Sequence, residues 1–227
     1  MSSPIIVSLD VDYDKAISLA NDFDPEQCRL KVGSQLFTSS GPKVVKDLSS
    51  LGFDIFLDLK FHDIPNTVFE AIRAAADLGV WMVNVHVSGG PSMLESARKA
   101  LSSYNNPPLL IGVTMLTSLS NEDVKEIGIS DISEKVMQLA LLAKSNGLDG
   151  IVCSPREVKV IKELCGKEFI AVTPGIRTKE MNDDQSRVSS PKEAINNGSD
   201  FLVIGRPVIE SSNPLKSLNQ VLDDIEL

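Results

Sequence analysis

The feature that most constrains this chain is an eightfold recurrence of short runs rich in Val, Ile and Leu, at 4–9, 28–33, 54–60, 80–87, 108–114, 149–153, 168–173 and 200–205. Runs this short and this evenly apolar read as strands buried on both faces. Between them lie amphipathic stretches of helical period, among them 65–78, 91–101, 132–145 and 155–164. Glycine punctuates the alternation: LGFD precedes the third run, LGVW the fourth, NGLD the sixth and NGSD the eighth. Each places Gly where a helix ends and a left-handed residue is needed. Eight strand-helix units in 227 residues predict an α/β fold, a (β/α)8 TIM barrel of parallel strands forming one domain over 1–227, in preference to an open doubly wound sheet.

Composition narrows the partners. With 42% hydrophobic and 23% charged residues the chain has the balance of a folded globule. A net charge of −9 opposes attraction to nucleic acid or anionic lipid, while leaving room for a small anion bound locally. Cys28, Cys153 and Cys165 are odd in number, lack a C-x-x-C pair and sit in or beside apolar runs. They read as buried thiols rather than a disulfide or zinc site. No basic leader opens the sequence and no window reaches the ~18 apolar residues of a membrane span. The expected location is cytoplasmic.

Alternation along the strands points to a site. In the third run Ile55, Leu57 and Leu59 belong under the helices, so Phe56, Asp58 and Lys60 face the barrel axis. The same parity turns Ser8 and Asp10 inward from the first run, Lys31 from the second, and Asn84 and His86 from the fourth. The fifth adds Thr114, just before Thr117 and Ser118. Polar residues at inward positions of the C-terminal strand ends describe an active-site mouth, since unpaired polar groups are costly to bury in a purely structural core. An ion-pair network that merely closes the barrel is the alternative for Asp10, Lys31, Asp58 and Lys60. Asn84 and His86 read as hydrogen-bonded structural residues, and His62 as a support for its loop. Neither histidine has a metal-ligating companion at useful spacing.

Phosphate handling has its own signals. The polar segment 173–191, TPGIRTKEMNDDQSRVSSP, is long for a loop and follows the seventh run, where barrels hold phosphates. It carries Arg177 and Gln185. After the eighth run, Gly205 allows close backbone approach to an anion, Arg206 supplies forked donors and Pro207 can open a helix.

At DLKFHDIPNT, residues 58–67, the sequence resembles the orotidine 5′-phosphate decarboxylase family, most closely its bacterial branch. SLD at 8–10, RLKVG at 29–33, VNVHVSGG at 83–90, VTMLTS at 113–118, VTPGIR at 172–177 and VIGRP at 203–207 occur in the family's order over nearly the whole chain. The resemblance implies a lyase of pyrimidine biosynthesis that converts orotidine 5′-monophosphate to uridine 5′-monophosphate. It implies that Asp58, Lys60 and Asp63 surround the scissile carboxylate with Lys31 joining them, and that Lys60 protonates C6. It further implies a homodimer in which Asp63, Ile64 and Thr67 complete the partner subunit's site. Asp10 and Lys31 match ribose-binding positions, Thr117 the pyrimidine contact, and Arg177, Gln185, Gly205 and Arg206 the phosphate positions.

No motif for a pyridoxal, thiamine or metal electron sink is present, so no cofactor is expected and the site itself must stabilise the carbanion left at C6. The rival readings are Mg²⁺-dependent sugar-phosphate enzymes of the same barrel type, which share D-x-K-x-x-D, an aldolase using Lys60 as a Schiff base, and a non-catalytic pyrimidine nucleotide sensor. Lys31 opposes the first, because those relatives place a metal-binding carboxylate near that strand end. The two aspartates oppose the second, which needs a neutral amine.

Overall fold

In this computed structural model, which describes residues 3–176 and 189–225, the eight runs form eight parallel strands. They are β1 (Ile5–Ser8), β2 (Arg29–Gly33), β3 (Ile55–Phe61), β4 (Met82–His86), β5 (Leu109–Val113), β6 (Gly150–Val152), β7 (Ile170–Thr173) and β8 (Phe201–Ile204). They pair in chain order, and β8 returns to β1 with Val7 opposite Ile204, closing the barrel. Outside lie α1 (Tyr13–Asp22), α2 (Ser34–Ser40), α3 (Pro42–Ser50), α4 (Pro65–Asp77), α5 (Pro91–Ala100), α6 (Asn121–Glu126), α7 (Ile132–Ser145), α8 (Val158–Cys165), α9 (Pro191–Asn196), α10 (Arg206–Ile209) and α11 (Pro214–Ile225). Among the described residues no helix is long and apolar enough to cross a membrane.

Strand parity sorts the apolar side chains into two populations. Val7, Leu9, Leu30, Val32, Ile55 and Leu57 join the large cluster that the helices cover. Ile6, Phe56, Met82, Ile111, Val172 and Val203, from the opposite faces, fill the barrel interior as a separate cluster. The helices meet the outer layer through stripes one turn apart. On α7 these are Ile132, Val136, Leu139, Ala140 and Ala143, a spacing that keeps one face against the sheet. The Asp131 carboxylate caps this helix by accepting from the Glu134 N–H at 2.8 Å. Gly147 (φ 73°) then turns the chain back towards β6, and Gly52, Gly79 and Gly198 do the same before β3, β4 and β8. The four glycine turns of the sequence are thus left-handed as expected.

One helix boundary differs from the sequence reading. The stretch 155–164 becomes helical only at Val158, because Glu157 folds back to accept from the Ser154 N–H at 2.9 Å and holds a turn ahead of the helix. The three cysteines are buried thiols, and burial pushes Cys28 up to about 12.

At the N-terminal end the barrel is sealed. The Arg29 guanidinium lies 4.4 Å over the Trp81 ring and 5.2 Å from that of Phe201, and those two rings meet edge to face. Arg29 also donates to the Ser3 carbonyl at 2.6 Å and pairs with Asp54 at 3.3 Å. At the opposite end the described residues line a cavity.

Candidate active site

Alternation holds along β3, but the strand does not run regularly to its end. Leu57 pairs with Val83 and Phe61 with Val85, so three residues, 58 to 60, stand opposite Asn84 alone. The extra backbone is absorbed at Lys60, whose φ of 53° makes it the one non-glycine residue in the left-handed region among those described. Lysine gains nothing intrinsic from that conformation, so the surroundings must hold it there. They do so through Asn84, which is fully buried and whose side-chain carbonyl accepts the Lys60 backbone N–H at 2.8 Å.

Around this bulge the charged side chains form a chain. Asp58 Oδ1 accepts from Lys60 Nζ at 2.7 Å and from Asn84 Nδ2 at 2.7 Å. Asp58 Oδ2 lies 3.1 Å from Lys31 Nζ, which is 3.4 Å from Asp10 Oδ1. Ser8 Oγ donates to Asp10 Oδ2 at 2.6 Å. Exposure grades outward: the Lys31 and Asp58 side chains are 10% exposed, Lys60 33% and Asp10 51%. Burial works against the charge on Asp58, but Lys31, Lys60 and the Asn84 amide outweigh it and hold the carboxyl below its usual range. Burial likewise disfavours the Lys31 ammonium, yet Asp58 and Asp10 prevail and its pKa rises. Both groups stay ionised at neutral pH.

The array lines a cavity at the C-terminal end of the barrel, together with Thr117, Gly205 and Arg206. A Cβ added at Gly205 would meet Ser8 at 3.4 Å and Asp10 Oδ2 at 3.8 Å, ordinary contact, which places Gly205 beside the start of the charged array. Gly205 opens the short helix α10, with Pro207 in its first turn. Arg177 and Gln185 lie outside the described residues. The ends of their segment are tied by a bridge between Ile176 and Ser189.

One expectation comes out differently. Thr114 does not join the mouth. Ile111 is inside the barrel and Val113 and Met115 line the cavity, so alternation turns Thr114 outward, where its hydroxyl donates to the Val152 carbonyl at 3.0 Å. Asp63 does not flank Lys60 within its own chain, because it is exposed and accepts from the Ile64 N–H at 2.7 Å. Ile64, 67% exposed, and the exposed Thr67 also stand clear of the cavity. Finally, the sequence reading passed over Gly33, where an added Cβ would lie 3.0 Å from Lys31 Nζ and 3.1 Å from Asp10 Oδ1. Glycine there leaves room for the ion pair, and its inward parity with Lys31 was the available signal.

His86 and His62 stack loosely, ring centroids 5.4 Å apart. Burial, helped by His62 and Lys60, pushes the His86 pKa down and keeps it neutral. Among the described residues no cluster of three His, Cys, Asp or Glu is arranged to hold a metal ion.

Comparison with known proteins gives a consistent answer. The family model described as "Orotidine 5′-phosphate decarboxylase / HUMPS family" matches residues 3–221. The orotidine 5′-phosphate decarboxylase of Saccharophagus degradans is 52% identical over 96% of this chain and 92% of its own length. That of Legionella pneumophila strain Philadelphia 1 is 53% identical over 99% of this chain and 100% of its own. The crystal structure of orotidine 5′-phosphate decarboxylase from Lactobacillus acidophilus superposes with a TM-score of 0.87, at 36% identity and full coverage of both chains.

Proposed function

The chain belongs to the orotidine 5′-phosphate decarboxylase / HUMPS family, and on that premise we propose how its mouth converts orotidine 5′-monophosphate to uridine 5′-monophosphate and carbon dioxide. It is a carboxy-lyase of pyrimidine biosynthesis. The observation that carries the mechanism is Lys60 Nζ, held 2.7 Å from a buried Asp58 carboxylate that Lys31 keeps charged.

The C6–carboxylate bond breaks heterolytically. Carbon dioxide departs and the electron pair stays on C6, with no adjacent carbonyl to accept it. The Lys60 ammonium is a fixed positive charge beside that carbanion and then gives it a proton, taking one back from solvent after turnover. Its left-handed backbone and its bond to Asp58 set the direction of that ammonium before substrate arrives. Asp58 faces the departing carboxylate, whose release relieves the repulsion between them. Asp10 and Lys31 bind the ribose hydroxyls and Thr117 the pyrimidine. The phosphate sits at Gly205 and Arg206, joined by Arg177 and Gln185. Binding energy from that remote phosphate is spent at the reacting carbon.

Lys31 also favours this reading over the Mg²⁺-dependent members of the family, since an ammonium occupies the space between Asp10 and Asp58. Three buried thiols suit a cytoplasmic location.

Asp63, Ile64 and Thr67 act across a homodimer. Their exposure, and the absence of Asp63 from its own cavity, support that assignment. Subunit mixing tests it. Lys60→Ala and Asp63→Ala homodimers are each inactive, and their mixed dimer regains one intact site, so random reassortment restores about a quarter of wild-type activity. No recovery in dimers shown to have exchanged subunits contradicts the shared site.

A further inference from the structure

The widened stretch of β3 needs something to hold it, and the decarboxylase reading gives that something a consequence. Three residues of β3 face one of β4, so the ladder cannot satisfy the Lys60 N–H. A buried donor left without a partner destabilises the fold. Asn84 meets that donor with its side-chain oxygen at 2.8 Å, and its Nδ2 donates to Asp58 Oδ1 at 2.7 Å, the same oxygen that accepts from Lys60 Nζ. One amide therefore fixes both ends of Lys60, its backbone directly and its ammonium through Asp58. Its 0% exposure leaves it no alternative partner in solvent. We propose that Asn84 is the positioning residue of the reaction, bridging the bulge to Asp58 so that the Lys60 ammonium points at C6.

Two substitutions separate this role from plain packing. Asn84→Ala removes both bonds and touches none of Asp10, Lys31, Thr117 or Arg206. The expected result is a kcat lower by about a hundredfold, the scale of a 1 Å misplacement, with affinity for uridine 5′-monophosphate within about threefold of wild type. Asn84→Asp keeps the size and the acceptor for the Lys60 N–H. Ionised, its new carboxylate faces Asp58 and cannot donate to it; protonated, it can do both jobs of the amide.

The charged and titratable groups around that position are Asp58 and Lys60 on β3, Lys31 on β2, Asp10 beyond β1 and His86 further along β4. Asp58 and Lys31 remain ionised across neutral pH, so the new carboxyl is the group that takes up the proton the pair shares. The kcat of Asn84→Asp therefore rises as pH falls from about 8 to 6, whereas that of wild type does not.

A crystal structure of Asn84→Ala provides a readout independent of turnover, with Lys60 expected to leave its positive φ and its contact with Asp58. The inference rests on the decarboxylase reading, and the outcomes distinguish the two. Wild-type protein that fails to turn over orotidine 5′-monophosphate overturns the reading. Active wild type beside an Asn84→Ala of equal kcat, or an Asn84→Asp with the wild-type pH profile, overturns the role of Asn84 alone. A parallel fall of kcat and product affinity in Asn84→Ala, with Lys60 unmoved, also overturns it.

Discussion

Arg29 and Lys31 stand two residues apart on β2, project into the same barrel and are equally buried, each at 8% exposure, yet one closes the barrel's end and the other fronts its cavity. Arg29 takes part in a seal, against two aromatic faces, the Ser3 carbonyl and Asp54. Lys31 is held as firmly, between Asp10 and Asp58, but those partners also front a cavity. A buried cation is therefore no sign of function by itself. What marks Lys31 is a satisfied charge set against open space at the C-terminal strand ends, where a ligand can add the next partner.

The comparison predicts opposite phenotypes from removing the two cations. Lys31→Ala should lower kcat/KM by about a thousandfold, the upper scale for losing one preorganised electrostatic contact; steady-state kinetics on folded protein check it, and a loss under tenfold would put Lys31 with Arg29 as a structural charge. Arg206→Ala, in the lining of the same cavity, should cost about a hundredfold in kcat/KM with little change in Tm, and an unchanged value in a folded variant would contradict the proposed phosphate contact. Arg29→Ala should leave kcat/KM near wild type. With its partner Asp54 half exposed, it should cost about 2 kcal/mol, which lowers Tm by roughly 4–8 °C in a chain of this size. A thermal melt beside a rate assay reads both.

The smallest effect concerns pH. The folded pKa of Asp58 is depressed below 3.8, so its stabilising contribution is fully present above that value and is lost only as pH falls through the folded one. Lys31 is the mirror case: its folded pKa lies above 10.5, and its contribution is lost as pH rises through that folded value. The stability difference between wild type and Asp58→Asn should therefore stay constant from about pH 5 to 9. A difference that fades near pH 6 in pH-dependent thermal unfolding would show that Asp58 is not held by the two lysines.

The sequence carries more of the barrel than of the mouth. Strand β3 reads cleanly because polar Asp58 and Lys60 alternate with Leu57 and Leu59, so period two alone separates inside from outside. Strand β5, LLIGV, is apolar on both faces. Hydrophobicity gives it no parity, and a polar Thr114 beyond it invites the wrong one. The bulge at 58–60 is equally hidden, because a left-handed lysine has no compositional mark and depends on Asn84 from another strand. Asp63 carries no mark of this kind, since among the described residues it is exposed and accepts from the next N–H.

The central claim is that Lys60 delivers the proton to C6, and the most direct test follows the ultraviolet absorbance of orotidine 5′-monophosphate mixed with purified protein in EDTA, beside Lys60→Ala. The account predicts rapid loss of substrate and formation of uridine 5′-monophosphate with wild type, and a rate lower by at least about ten-thousandfold in a folded Lys60→Ala that still binds product. Turnover that persists in Lys60→Ala, or wild-type turnover that appears only on adding Mg²⁺, would contradict it.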